Sequence, residues 1–127
     1  MKTYKGSCLC GFIKFVLSGN PSNPHLCYCH MCQSWSGAPI VGWVNFPLSS
    51  LTYKSGKPSL YRSSKNTQRG FCPHCGSSLF AIDDNSNKIC MTISVLTDKE
   101  EIIPTSESFK ESKSKWITVC LPSYKTS

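Results

Sequence analysis

No stretch of this chain is apolar enough to cross a membrane. The longest candidate, residues 37–44, covers well under half of what a spanning helix needs. The first residues, Met1-Lys-Thr-Tyr-Lys-Gly-Ser, carry no apolar signal segment, so a soluble, cytoplasmic protein is expected. No window of ten or more residues repeats apolar side chains at helical spacing. No internal repeat and no low-complexity linker divides the sequence. With 127 residues, 39% of them apolar and 11% aromatic, it has enough material for one domain, 1–127, with its own packed core.

A concentrated Lys/Arg stripe is also missing. The formal charge is +7, but the basic residues are scattered, with loose groups at Arg62, Lys65 and Arg69 and at Lys110, Lys113 and Lys115. Four thiolates on one Zn²⁺ carry −2 and three on another carry −1, which would lower the charge to about +4. That balance favours anionic small molecules and speaks against nucleic acid, whose binders concentrate their cations.

What is present is a strand-and-turn pattern with abundant sulfur. Residues 12–17, 40–46, 59–63, 78–82, 89–95 and 116–121 read as strands, the first with Ile13, Phe15 and Leu17 on one face. Gly-, Pro- and Asn-rich segments at 19–24, 46–50, 55–58 and 83–87 read as turns. A short helical turn is expected at 96–101, capped by Thr97-Asp98.

Seven of the nine cysteines lie in three tight clusters: Cys8-Leu-Cys10-Gly11, Cys27-Tyr-Cys29-His-Met-Cys32 and Phe71-Cys72-Pro-His-Cys75-Gly76. The odd count and close spacings argue against a disulfide framework and for zinc. A redox Cys-x-x-Cys normally accompanies a βαβ pattern, and none is visible. Iron–sulfur ligation takes four cysteines per cluster. Seven thiolates make one closed four-ligand zinc site plus a set of three, and three-ligand zinc keeps a position for water or substrate. Spacing alone leaves the grouping open: the Cys29/Cys32 and Cys72/Cys75 pairs satisfy one site as readily as other combinations. In the knuckle Cys72-Pro-His-Cys75-Gly76, proline pre-sets the turn and glycine permits the positive φ that aims backbone N–H groups at sulfur.

Three ordered motifs, Gly6-x-Cys8-x-Cys10-Gly11, then Cys27-x-Cys29-x-x-Cys32 with Ser36-Gly37-Ala38-Pro39, then Arg69-Gly-Phe71-Cys72-Pro-x-Cys75-Gly76-Ser77-x-Leu79, closely resemble the glutathione-dependent formaldehyde-activating enzyme family, which also includes centromere protein V. The terminal Trp116…Leu121-Pro122-x-Tyr124 fits the same pattern, and the resemblance spans about residues 4–124. It implies a mostly β, antiparallel, β-tent-like zinc fold. It assigns a structural zinc to Cys8, Cys10, Cys72 and Cys75, and a second, labile zinc at the substrate site to Cys27, Cys29 and Cys32. The implied reaction joins the glutathione thiol to formaldehyde, giving S-hydroxymethylglutathione, so the expected activity is that of a carbon–sulfur lyase or synthase. Arg69, Arg62 and Lys65 are candidate partners for the carboxylates of glutathione. The stretch 104–109 lacks a histidine that relatives often carry. The alternatives are a non-catalytic zinc module meeting nucleic acid or a protein partner, and a glutathione carrier.

Other residues have plainer expectations. His25, His30 and His74 read as loop or exposed residues, and Cys90 and Cys120 as small buried hydrophobes. Trp35 and Trp43, which flank Ser-Gly-Ala-Pro, are expected in the core or on a pocket wall.

Overall fold

The computed structural model describes residues 2–122. Ten strands, β1 (Tyr4–Ser7), β2 (Lys14–Leu17), β3 (Ser22–Cys27), β4 (Val41–Pro47), β5 (Leu51–Ser55), β6 (Ser59–Arg62), β7 (Thr67–Phe71), β8 (Ser78–Asp83), β9 (Lys88–Thr92) and β10 (Ser106–Ser108), accompany one helix, α1 (His30–Ser36). They form a three-stranded sheet ordered β1-β2-β5 and a seven-stranded sheet ordered β10-β3-β4-β9-β8-β7-β6. Every pairing is antiparallel except β10 against β3. The mostly β, antiparallel expectation therefore holds. No helix among the described residues is long and apolar enough to cross a membrane.

Alternation decides which way each strand faces. Ile13, Phe15 and Leu17 are buried between the sheets, as their period-two spacing predicts. On the larger sheet, Val44 and Phe46 of β4, Phe80 of β8, and Ile89 and Met91 of β9 face that same core. The intervening Trp43, Ala81 and Cys90 gather in a second cluster with Cys27, Cys32 and Val41. The large sheet thus has an apolar face and a sulfur-bearing face.

Several elements differ from the sequence pattern. The alternation at 89–95 ends as a strand at Thr92 and continues as a 3₁₀ turn, Ile93–Val95. The helical turn near 96–101 is a 3₁₀ turn at Lys99–Glu101, and Asp98 caps it without a side-chain hydrogen bond. Residues 116–121 are not a strand: Trp116 is 77% exposed, only Ile117 is buried, and no neighbouring strand is hydrogen-bonded to them. Alternation records a preference, but a strand also needs a partner edge. Tyr124 lies outside the described residues. The strand β3 runs through a segment that reads as a turn. Pro24 is tolerated there because the β3–β4 register shifts between Ser22 and His25, and such bulges are where proline fits within sheets.

Candidate metal centre and thiol cavity

Two knuckles, one from each sheet, meet. Cys8 and Cys10 lie between β1 and β2 of the small sheet, and Cys72 and Cys75 lie between β7 and β8 of the large one. Their four sulfurs all fall within 4.8 Å of one another, with Cys8–Cys10 at 3.7 Å and Cys10–Cys72 at 3.8 Å. Four sulfurs at about 2.3 Å from a tetrahedral zinc are about 3.8 Å apart, so the donor set and its spacing fit that ion.

Gly11 (φ 82°) and Gly76 (φ 79°) turn the chain as the knuckle sequence requires. The Ile13 N–H donates to Cys8 Sγ at 3.2 Å, and the N–H groups of His74 and Cys75 point to Cys72 Sγ at 3.3 and 3.4 Å. The Ser77 hydroxyl, 3.1 Å from Cys75 Sγ, together with the Ser77 backbone, holds the Cys75 thiol down to about 5. These donors stabilise thiolate, the form a metal takes. His74 is exposed, as expected, and stacks on Phe12 at 3.8 Å.

The third cysteine cluster is built differently. The strand β3 ends at Cys27, Cys29 is the N-cap of α1, and Cys32 sits buried one turn into the helix. Cys27 and Cys32 Sγ are 3.6 Å apart. Among the described residues, the foursome above is the one group of three or more ligating atoms converging within 4.8 Å; Cys29 packs beside the other two without completing such a set. Burial opposes ionisation of Cys29, but the backbone N–H groups of Cys32 and Met31 outweigh it and lower the pKa. Burial lifts Cys32 to about 11 against the pull of Arg69. Burial, joined by the neighbouring Cys32 and Cys27, lifts Cys90 to about 12.

Arg69 organises this region. It is 6% exposed, in the middle of β7. Its Nε donates to Ser63 Oγ at 3.2 Å and its Nη2 to Cys32 Sγ at 3.5 Å. The guanidinium lies 5.0 Å from the ring centre of Trp35 and 5.8 Å from that of Trp43, while the two indoles stack at 5.8 Å with planes 5° apart. Nη1 is buried and has no hydrogen-bond partner. A buried cationic donor left unpaired is costly, which marks the place an anionic group would fill.

Arg69 lines two cavities. One, of about 300 Å³, also takes in Cys32, Cys90, Trp43, His25 and Asp83; the other, of about 270 Å³, is walled by Trp35, Met31, Tyr61 and Ser63. His25 donates from Nδ1 to the Asn23 carbonyl at 2.8 Å, because a carbonyl can only accept. Trp35 and Trp43 therefore serve both as packing and as cavity wall.

The other two basic candidates stand apart from these cavities. Arg62 pairs with Asp84 at 3.0 Å on the surface and donates to the Lys65 carbonyl. Lys65 is exposed in the following turn. Sequence reasoning missed α1, whose seven residues are too few for periodicity to register, and it missed the sharing of one cavity by His25, Asp83 and Cys90. The alternation that sets Cys90 apart from Ile89 and Met91 was the available signal for the last.

Residues 3–112 match the family described as glutathione-dependent formaldehyde-activating enzyme. An uncharacterized lyase of Schizosaccharomyces pombe is 30% identical over 82 residues, which cover 63% of this chain and 58% of that protein's length. A solved structure of a Rhodobacter sphaeroides protein shares the fold with a TM-score of 0.65 at 20% identity, over 82% of this chain and 99% of the other.

Proposed function

Given that this chain belongs to the glutathione-dependent formaldehyde-activating enzyme family, we propose that it is a zinc-dependent carbon–sulfur lyase acting on a thiol–aldehyde adduct of the S-hydroxymethylglutathione type. Family membership and the lyase-named relative support a lyase-type activity; the thiol and aldehyde belong to our reading. So do a second zinc held by Cys27, Cys29 and Cys32, and a cytoplasmic location. Bound zinc would supply Lewis acidity and favour the thiolate form of a substrate thiol.

The observation that carries the proposal is Arg69. Its Nη2 holds Cys32, which fixes the orientation of one sulfur, and its unpartnered Nη1 remains available to an anion. Glutathione brings carboxylates, and Arg binds carboxylate strongly where water is excluded. The paired indoles shield the guanidinium from water and strengthen that interaction. Arg62 is held by Asp84 and Lys65 is exposed outside both cavities, so the carboxylate role falls to Arg69.

The test measures metal content and then follows exchange among formaldehyde, glutathione and their adduct by NMR, with and without protein. The expected result is two zincs per chain and exchange faster than the spontaneous rate. Glutathione binding without acceleration would instead establish a carrier. No binding and no acceleration would leave a structural zinc module.

A further inference from the structure

The cavity of about 300 Å³ that takes in Cys32 and Arg69 also takes in Asp83 and Lys88, two exposed charges of opposite sign. Strand register fixes where they stand. On the sulfur-bearing face of the large sheet, Asn45 pairs with Cys90, Cys90 with Ala81 and Ala81 with Arg69, which makes one row across β4, β9, β8 and β7. Two positions further along the same strands is a second row, in which Pro47 pairs with Lys88 and Thr67 with Asp83. Side chains two apart share a face. Lys88 and Asp83 therefore stand on neighbouring strands at the outer end of a groove whose inner end holds Arg69 and Cys32. The two rows are about 6.8 Å apart.

These charges are uncommitted. Among the described residues the ion pairs are Lys2 with Glu101 and Arg62 with Asp84, so Arg69, Asp83 and Lys88 have no ionic partner. Asp83 and Lys88 do not neutralise each other, although they flank one hairpin between β8 and β9. The Thr67 hydroxyl donates to Asp83 Oδ1 at 2.5 Å and holds that carboxylate in place. At the inner end, Arg69 Nη1 is buried and unpartnered. The groove thus offers two cations and one anion. Glutathione carries the complementary set, two carboxylates and one ammonium. Its γ-glutamyl arm spans about 6 Å when extended, close to the row spacing, and ends with ammonium and carboxylate on one carbon. Arg69 serves one carboxylate; Lys88 is the other cation that lines the cavity.

We propose that Asp83 and Lys88 select the thiol cosubstrate by its α-amino-acid head, Asp83 taking the ammonium and Lys88 the adjoining carboxylate, while Arg69 takes the carboxylate on the other side of the thiol. The inference rests on the lyase reading and narrows the thiol to a γ-glutamyl thiol with a free amino terminus. A nucleotide or sugar thiol lacks that pair of charges on one carbon. Charges at the wet end of a groove contribute more to selectivity than to affinity.

The test is calorimetric titration of the whole, zinc-loaded protein with glutathione and two analogues. Glutaryl-cysteinylglycine lacks only the ammonium, and 4-aminobutyryl-cysteinylglycine lacks only the head carboxylate. Each should bind about five- to tenfold more weakly than glutathione. Asp83→Asn should weaken glutathione by the same factor and leave the glutaryl analogue unchanged. Lys88→Gln should weaken glutathione and leave the 4-aminobutyryl analogue unchanged. The analogue series on the native protein needs no variant to fold. Analogues that bind as tightly as glutathione would overturn the inference. So would an Asp83→Asn variant that weakens glutathione and the glutaryl analogue alike, which would make Asp83 a structural partner of Thr67. Faster formaldehyde–glutathione exchange with no discrimination among the three ligands would overturn this inference and leave the lyase reading standing; neither binding nor acceleration would overturn both.

Discussion

The two cysteine sites use the same side chain in opposite surroundings. Cys8, Cys10, Cys72 and Cys75 arrive from two loops, Cys10 and Cys72 being 62 positions apart in the chain, and converge into a set that backbone N–H groups face. Cys27, Cys29 and Cys32 come from one strand end and one helical turn, beside a buried cation and an open cavity. The first arrangement has the donor set to hold an ion at the junction of the sheets. The second brings two sulfurs together at 3.6 Å and leaves the third outside the tight group. A count of thiols therefore does not separate a holding site from a reacting one; what the remaining directions face does.

The comparison would break most sharply at Cys72. Cys72→Ser removes a ligand 1% exposed at the junction of the sheets. Structural zinc contributes about 10–16 kcal/mol, as much as a domain's entire stability. The variant should lose metal and cooperative melting together, read by elemental analysis and thermal unfolding. Retention of a sharp transition without metal would show that the core holds the sheets unaided.

Cys32→Ser should do the reverse. Exchange of the thiol–aldehyde adduct should fall by about a hundredfold or more as ligand and orientation are lost, while the melting transition survives. Arg69→Lys comes next. Lysine keeps the charge but cannot reach Cys32, Ser63 and an anion at once, so activity or second-site metal affinity should drop about 10–100-fold. An unchanged kcat/KM would remove Arg69 from the mechanism.

Tyr28 probes the scaffold beside the third cysteine cluster. Its hydroxyl donates to Glu107 at 2.5 Å, and burial, reinforced by Glu107, lifts it to about 12. Tyr28→Phe should cost about 1–3 kcal/mol. Because the folded phenol ionises later than an unfolded one near 10, its stabilisation is full below about pH 10 and fades toward pH 12. The variant should lose that alkaline decline in a denaturant titration. The smallest effect is expected from Arg62→Gln, which breaks an exposed pair with Asp84 and should shift stability by about 0.2–1 kcal/mol.

Much of the fold was legible because short-range rules governed it. Alternation over 12–17 and 89–92 marks side chains that are buried, and the knuckle glycines adopt the positive φ that their position suggests. The legible part ended where a partner decided the outcome. Residues 116–121 alternate yet find no ladder, and β3 forms through Pro24 because β4 and a bulge accommodate it. At the site, Arg69 stood out beside its knuckle, but nothing local indicated that it would be buried against the stacked Trp35 and Trp43, or that Arg62 would turn to Asp84.

By itself, the sequence determined the strand-rich character, the three sulfur clusters and the local turn geometry at Gly11 and Gly76 that suits two of them to metal, since these depend on neighbours within a few positions. Only the tertiary structure decided which thiols converge, which cation is stripped of water and which strand edges stay open. Those outcomes depend on distances between segments far apart in the chain, and packing of the two sheets sets those distances.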